Sequence, residues 1–355
     1  MGVILFKVKV PNITTEIKEK NLIIKPDGLG RGWVNFLIED KMLITEELLA
    51  EAFALVNRFQ NENPDIIITS SDMAKKLAQF PSRFSSIMFL SSVFNSSADQ
   101  SKADCIKYLK ELPEFITQVH FDVKHKWNNP EDVIKAIPKH VTHFKINLDV
   151  IANCTHEELI RFFSNFPKHL TEISLLEGNP QNNLVIDDKV LRDLIIRLPV
   201  SVKTLTVPND MNVSINIPKR TLDLDEYRKR EYFPASYDDL FCSDDLFENA
   251  QNLLNDYTKN TSCSPGFSLF FTFHWNRHHV DKVNEIVKKS TNINDLLDNF
   301  RQIEEQKDFN HTGSLARRIH YIKHKQYEKS QEANHGAEVL KHQNTIDESS
   351  SLLSY

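Results

Sequence analysis

The side chains with the clearest potential for chemistry lie in the C-terminal third of the chain. "HWNRHHV" (274–280) places His274 and His278 one helical turn apart, with His279 adjacent. Two imidazoles at that spacing can share a zinc ion, but a third ligand and a general base must come from elsewhere, and no H-E-x-x-H is present. The plainer reading, taken here, is a structural cluster at the start of a helix. Cys242, followed by Ser243 and Asp244, is the second candidate. A thiol at a helix N-terminus has a lowered pKa and suits a thioester nucleophile. "DGLGRG" (27–32) has the glycines of a phosphate loop without its Lys-Ser/Thr and reads as a turn between strands. "GSLARRIHYIKHKQYEK" (313–329) is locally basic through Arg317, Arg318, Lys323 and Lys325. It offers a contact to phosphoinositide or an acidic protein surface, against the plainer reading of a solvated helix face. No catalytic residue, metal site or cofactor is assigned.

The bulk composition narrows the classes further. The chain has 355 residues, 40% hydrophobic and 26% charged, with a formal net charge of −6. These are the values of a folded globular protein, and the charge argues against nucleic-acid binding through a global positive field. Four cysteines (Cys105, Cys154, Cys242, Cys263) stand far apart, as in free thiols of a reducing compartment. The longest apolar stretches, such as "LFFTF" (269–273), are too short to span a membrane. "MGVILFKVKV" lacks the features of a signal peptide, and Phe6 stands where a myristoylation signal has Ser or Thr.

One phrase recurs five times and must position everything else: "FPSRFSSIMF", "LPEFITQVHF", "IPKHVTHFKI", "FPKHLTEISL" and "LPVSVKTLTV". Its prolines, Pro81, Pro113, Pro138, Pro167 and Pro199, are 32, 25, 29 and 32 residues apart. Three residues after each come Phe84, Ile116, Val141, Leu170 and Val202. Six after come Ile87, Val119, Phe144, Ile173 and Leu205, and eight after come Phe89, Phe121, Ile146, Leu175 and Val207. The last two columns alternate, so each repeat carries one short strand with both residues on one face. Upstream of each proline, apolar residues at spacings of three and four mark a helix face. Thr155 with Glu158 forms a capping box, Asn129-Pro130 reads as an N-cap with proline in the first turn, and Asp187 can cap the following helix. Helix, proline turn, strand is therefore the unit, and stacking such units gives a parallel sheet with helices on its other side.

The apolar comb after a proline resembles the core of leucine-rich repeats, and its phrasing over residues 65–210 is similar to leucine-rich-repeat effectors that Legionella species inject into host cells. In place of that family's asparagine column stand Ser92, Lys124, Asp149, Gly178 and Asp210, so the asparagine ladder that satisfies the turn backbone is missing and regular horseshoe curvature does not follow from the resemblance. "LLNDYTK" (253–259), "HWNRHHV" and "GSLARRIHYI" (313–322) resemble a C-terminal module shared by several such effectors, one with no assigned chemistry. Cys242-Ser243-Asp244 matches the C-x-D of bacterial ubiquitin ligases that also follow leucine-rich repeats, whose helical catalytic domain is longer than the segment available here. The resemblance implies a type IV secreted effector acting in the host cytosol.

The reading is an α/β chain in four parts. Residues 1–64 form an N-terminal α/β cap, with strands in "ILFKVKV" and "WVNFLI" and a helix over 46–59. Residues 65–224 form a degenerate leucine-rich-repeat solenoid, whose last turn is "IPKRTLDL" (217–224). Residues 225–328 form an all-α domain, and 329–355 a flexible tail resembling a translocation signal. Residues alternating with the core columns should face outward and bind a partner: Met88, Leu90, Gln118, His120, Asp122, His143, Lys145, Asn147, Glu172, Ser174, Leu176, Thr204 and Thr206. Met88, Leu90 and Leu176 are the apolar anchors. The expected function is non-enzymatic binding of a protein, either a host target or another effector, with an enzyme sited in residues 225–328 as the competing class. No nucleic acid, membrane span or cofactor is expected, and the oligomeric state stays open.

Overall fold

Each proline of the comb opens a four-residue turn. The carbonyls of Pro81, Pro113, Pro138, Pro167 and Pro199 accept the N–H of Phe84, Ile116, Val141, Leu170 and Val202 at 3.0–3.2 Å. Proline ends the helix before it because its ring fixes φ and it has no N–H to donate. The turn swings the residue three positions on into the core, where all five are fully buried.

The computed structural model describes residues 2–9, 13, 15–19, 21–26, 33–39, 44–59, 65–94, 97–176, 188–208, 219–262, 271–306, 309–310 and 313–351. The chain divides into two compact units, Met1–Leu224 and Asp225–Tyr355. The first carries strands β1 (Gly2–Lys9), β2 (Ile17–Glu19), β3 (Leu22–Pro26), β4 (Trp33–Glu39), β5 (Asp65–Ile68), β6 (Ser86–Phe89), β7 (Gln118–Phe121), β8 (His143–Asn147), β9 (Glu172–Leu176), β10 (Thr204–Pro208) and β11 (Lys219–Asp223). Between them run helices α1 (Glu46–Phe59), α2 (Ser71–Ala74), α3 (Ala98–Lys110), α4 (Glu131–Lys135), α5 (His156–Ser164) and α6 (Asp188–Ile195). The strands form one 11-stranded sheet in the order β11-β10-β9-β8-β7-β6-β5-β1-β4-β3-β2. From β5 to β10 every neighbouring pair is parallel.

The comb sets the register. Ile87, Val119, Phe144, Ile173 and Leu205 lie side by side across five strands, and Phe89, Phe121 and Ile146 do the same. Tyr108 of α3 stacks on Phe89 at 5.4 Å, and Phe144 meets Phe166, just after α5, at 6.4 Å. Repeats of unequal length keep this register because the helical segment absorbs the difference: α3 has 13 residues and α4 has 5. A second ladder crosses the start of the strands. The carbonyls of Ser85, Thr117, Thr142 and Thr171 each accept two N–H groups of the next repeat at 2.8–3.2 Å. The hydroxyls of Thr117, Thr142 and Thr171 lie 3.2–3.4 Å from the carbonyls of Ser85, Thr117 and Thr142. A threonine ladder at the strand starts thus secures backbone in a fold without an asparagine column.

The N-terminal cap continues the repeat sheet. β1 pairs antiparallel with β5, and Phe6 stacks on Phe36 and on Phe53 of α1 at 5.0 and 5.4 Å. Phe53 in turn meets Phe80 and Phe84 at 5.2 and 5.6 Å, so α1 closes the core at this end. β2 and β3 are additions that the sequence pattern did not reveal. At the other end β11 pairs antiparallel with β10, where a last repeat turn was expected. A parallel return needs a crossover of about a dozen residues or more, and ten residues, 209–218, separate β10 from β11.

The capping box at Thr155 and Glu158 is present, with bonds of 2.7 and 3.3 Å. Asn129 differs from expectation. It takes a left-handed backbone at φ 49, whereas an N-cap needs an extended one, and α4 starts without a side-chain cap. Asp187 lies outside the described residues.

The second unit contains α7, whose first residue, Leu224, closes the first unit (Leu224–Tyr232), α8 (Leu246–Ser262), α9 (Phe271–Lys289), α10 (Ile293–Glu304) and α11 (Ser314–Ser351). Ala250, Leu253, Val283, Leu296, Phe300, Ile319 and Ile322 are fully buried and form its core. α11 runs on to Ser351, through the segment read as a flexible tail. Residues 329–351 contain no proline and a single glycine among many good helix formers.

Truncating a core column should cost far more than removing a ladder hydroxyl. Phe144→Ala is expected to destabilise the repeat sheet by about 3–5 kcal/mol, and Thr142→Val by about 0.5–1.5 kcal/mol. Denaturant unfolding of each variant measures both. Equal costs, or a Phe144→Ala cost below about 1 kcal/mol, would contradict this packing.

Candidate functional site

A parallel strand that buries alternate residues must turn the others to its opposite face. Strand pairing puts them in rows. Ser86, Gln118, His143, Glu172 and Thr204 form one row, and Met88, His120, Lys145, Ser174 and Thr206 a second. Leu90, Asp122, Asn147 and Leu176 follow each strand's last core residue, with Asn147 and Leu176 paired. All the expected partner-binding residues therefore share one face. Most are half-buried, but Ser174 and Asn147 are only 4% and 8% exposed. Ser174 is short and stands between Lys145 and Thr206. Asn147 is tied down by donating from Nδ2 to Asp122 Oδ1 at 2.7 Å. These two residues line the floor of the face and do not project from it.

The chemistry changes along the rows. Met88 and Leu90 make the β6 end apolar. In the middle, His143 Nε2 lies 3.5 Å from Glu172 Oε2, and its Nδ1 lies 2.8 Å from the Thr142 hydroxyl. At the far end Thr206 and Thr221 share a hydroxyl contact of 3.2 Å.

Sequence reasoning overlooked His140 and His169. They occupy the same turn position, two residues after Pro138 and Pro167, and the shared "PKH" was the available signal. The Nε2 atom of each is buried with no hydrogen-bond partner among the described residues. Burial pushes both imidazoles below their usual pKa, opposed at His140 by Glu114 and at His169 by a bond to the Pro138 backbone.

Of the residues with enzymatic potential, Cys242 is the one whose side chain is described. Cys242 is exposed, donates to the Asp239 carbonyl at 2.8 Å, and precedes α8 by four residues, so it does not occupy the helix N-terminus. Asp245 caps that helix instead, accepting the Phe247 N–H at 2.8 Å. His274, His278 and His279 fall on α9, and their side chains lie outside the described residues, as does "DGLGRG". Among the described residues no group of three metal-ligating side chains occurs. The basic segment of α11 is largely occupied within its own unit. Arg318 binds Asp256 at 2.7 Å between the rings of Tyr237 and Tyr257, Lys323 binds Glu304 at 2.6 Å, and Lys325 binds Glu328 at 3.3 Å. Among the described residues no helix is long and apolar enough to cross a membrane.

The geometry is that of an α/β leucine-rich-repeat-like sheet with a separate helical unit. Residues 234–323 match a family described as a domain of unknown function (DUF5617), and the match includes all three C-terminal phrases singled out above. Among solved structures, the leucine-rich repeat-containing protein LegL7 from Legionella pneumophila is similar at 18% identity, with a TM-score of 0.33. That similarity covers 52% of this chain and 57% of LegL7, so the chain spans little more than half of that protein's length. No curated protein matches the chain.

The two turn histidines generate a pH prediction. Their folded pKa values lie below the unfolded value of about 6.5, so on acidification the unfolded chain takes up protons first. Their contribution to stability is complete above that pH and is lost as pH falls through the folded values. The denaturation midpoint should fall between pH 7 and pH 5, and fall less in His140→Gln/His169→Gln. An unchanged slope in the double variant would contradict the assignment.

Proposed function

We propose that this chain is a non-enzymatic protein-interaction module that binds another protein through the half-buried face of its repeat sheet. One observation carries the reading. The column facing the helices is apolar and buried in every repeat, while the rows facing away stay in register and change chemistry from strand to strand. A packing role would not require that variation, whereas recognition does, with a few anchors supplying most of the affinity. The partner is a host-cell protein or another effector, in line with the resemblance to injected leucine-rich-repeat proteins.

Tagged full-length chain is to be incubated with host lysate and, separately, with lysate of the source bacterium. A stoichiometric partner is expected to bind at least ten-fold more weakly to His120→Ala/Lys145→Glu, a loss of about 1.4 kcal/mol. Cys242→Ala should retain it. The reverse pattern would favour an enzymatic or C-terminal site and overturn this reading.

A further inference from the structure

One transverse row of the same face carries positive charge without compensation. Strand pairing aligns Lys7 on β1 with Ile67 on β5, Ile67 with Met88 on β6, Met88 with His120 on β7, and His120 with Lys145 on β8. The row crosses the junction between cap and repeats, so it exists only because the two share a sheet. Lys7 and Lys145 are half-buried, and among the described residues neither has a carboxylate within ion-pair distance. Of the acidic side chains in the neighbouring rows, Glu172 lies beside His143 and Asp122 holds Asn147, while Asp65, aligned with Ser86, is exposed to solvent outside ion-pair distance of either lysine. Between the two lysines stand Ile67, which is 8% exposed, the thioether of Met88 and, next to Lys145, the imidazole of His120.

A half-buried ammonium without a counter-charge has lost hydration that a bound anion would replace. Four strand spacings separate the two lysines, about 19 Å. We propose that the occupant of this row is an acidic protein segment that presents carboxylates to Lys7 and Lys145 and apolar side chains to Ile67 and Met88 between them. The apolar centre disfavours a uniformly charged polyanion. This inference rests on the proposed recognition role of the face and specifies the chemistry of its partner.

The test is selection of random 15-residue peptides, displayed on yeast, against the full-length protein. Enriched sequences should carry acidic residues on both sides of an apolar residue. A synthetic peptide from that set should bind at least ten-fold more weakly to Lys7→Met/Lys145→Met and to Met88→Asp, and should weaken at least ten-fold between 50 and 300 mM salt. Methionine keeps much of the lysine stem, and far-UV circular dichroism checks that each variant is folded. If binding is lost in Met88→Asp but not in the lysine variant, or if the enriched peptides lack acidic residues, the acidic-partner inference fails and the face reading stands. If neither variant changes binding, or no peptide is enriched, both fail.

Discussion

One carbonyl per repeat, at the residue four positions after the proline, holds the sheet together at its start. It accepts two N–H groups from the next repeat, and this geometry is reproduced from Ser85 through Thr171. Because each carbonyl is placed by its own proline turn, the spacing from proline to strand cannot drift. Repeats can therefore differ by several residues in their helices and still deliver their strands in register. Buried N–H groups left unpaired at such a seam would each cost on the order of 1–3 kcal/mol, so the ladder and the hydrophobic columns depend on each other.

That constraint has a functional consequence. If register is fixed on the core side, it is fixed on the other side too, because successive side chains alternate. Residues far apart in sequence, such as Met88, His120 and Lys145, are brought into one row without any interaction among themselves having to hold them there. The face can then vary in chemistry at little cost to the fold. Its polar contacts, His143 with Glu172 and Asn147 with Asp122, join neighbouring repeats and shape the floor of the surface.

The repeat was legible because its apolar columns are dense and its prolines unmistakable, and the helix over 46–59 showed its amphipathic face plainly. The less visible features were set by pairing partners. β2 and β3 are short and have no columns of their own. β11 has a strand-like sequence, but its direction follows from the length of the preceding connection. The threonine ladder was present in the columns as Thr117, Thr142 and Thr171, yet its meaning lies in a backbone geometry that apolar spacing does not report. The candidate face was predicted by simple alternation. The burial of Ser174 and Asn147 was not, since it depends on the size and bonding of their neighbours across the strands. Lys7 escaped notice for the same reason: it belongs to the cap in sequence and to the repeat face in space.

The proposed recognition occurs on the sheet face, away from the helices. Site-specific photo-cross-linking tests it most directly. A benzophenone side chain is placed singly at Met88, Lys145 or Thr206 on the face, and at Lys110 or Glu157 on exposed helix positions, and each protein is irradiated in lysate. The account predicts one discrete adduct from the face positions and none of that mass from the helix positions. The same adduct from Lys110 or Glu157, with none from the face, would contradict it.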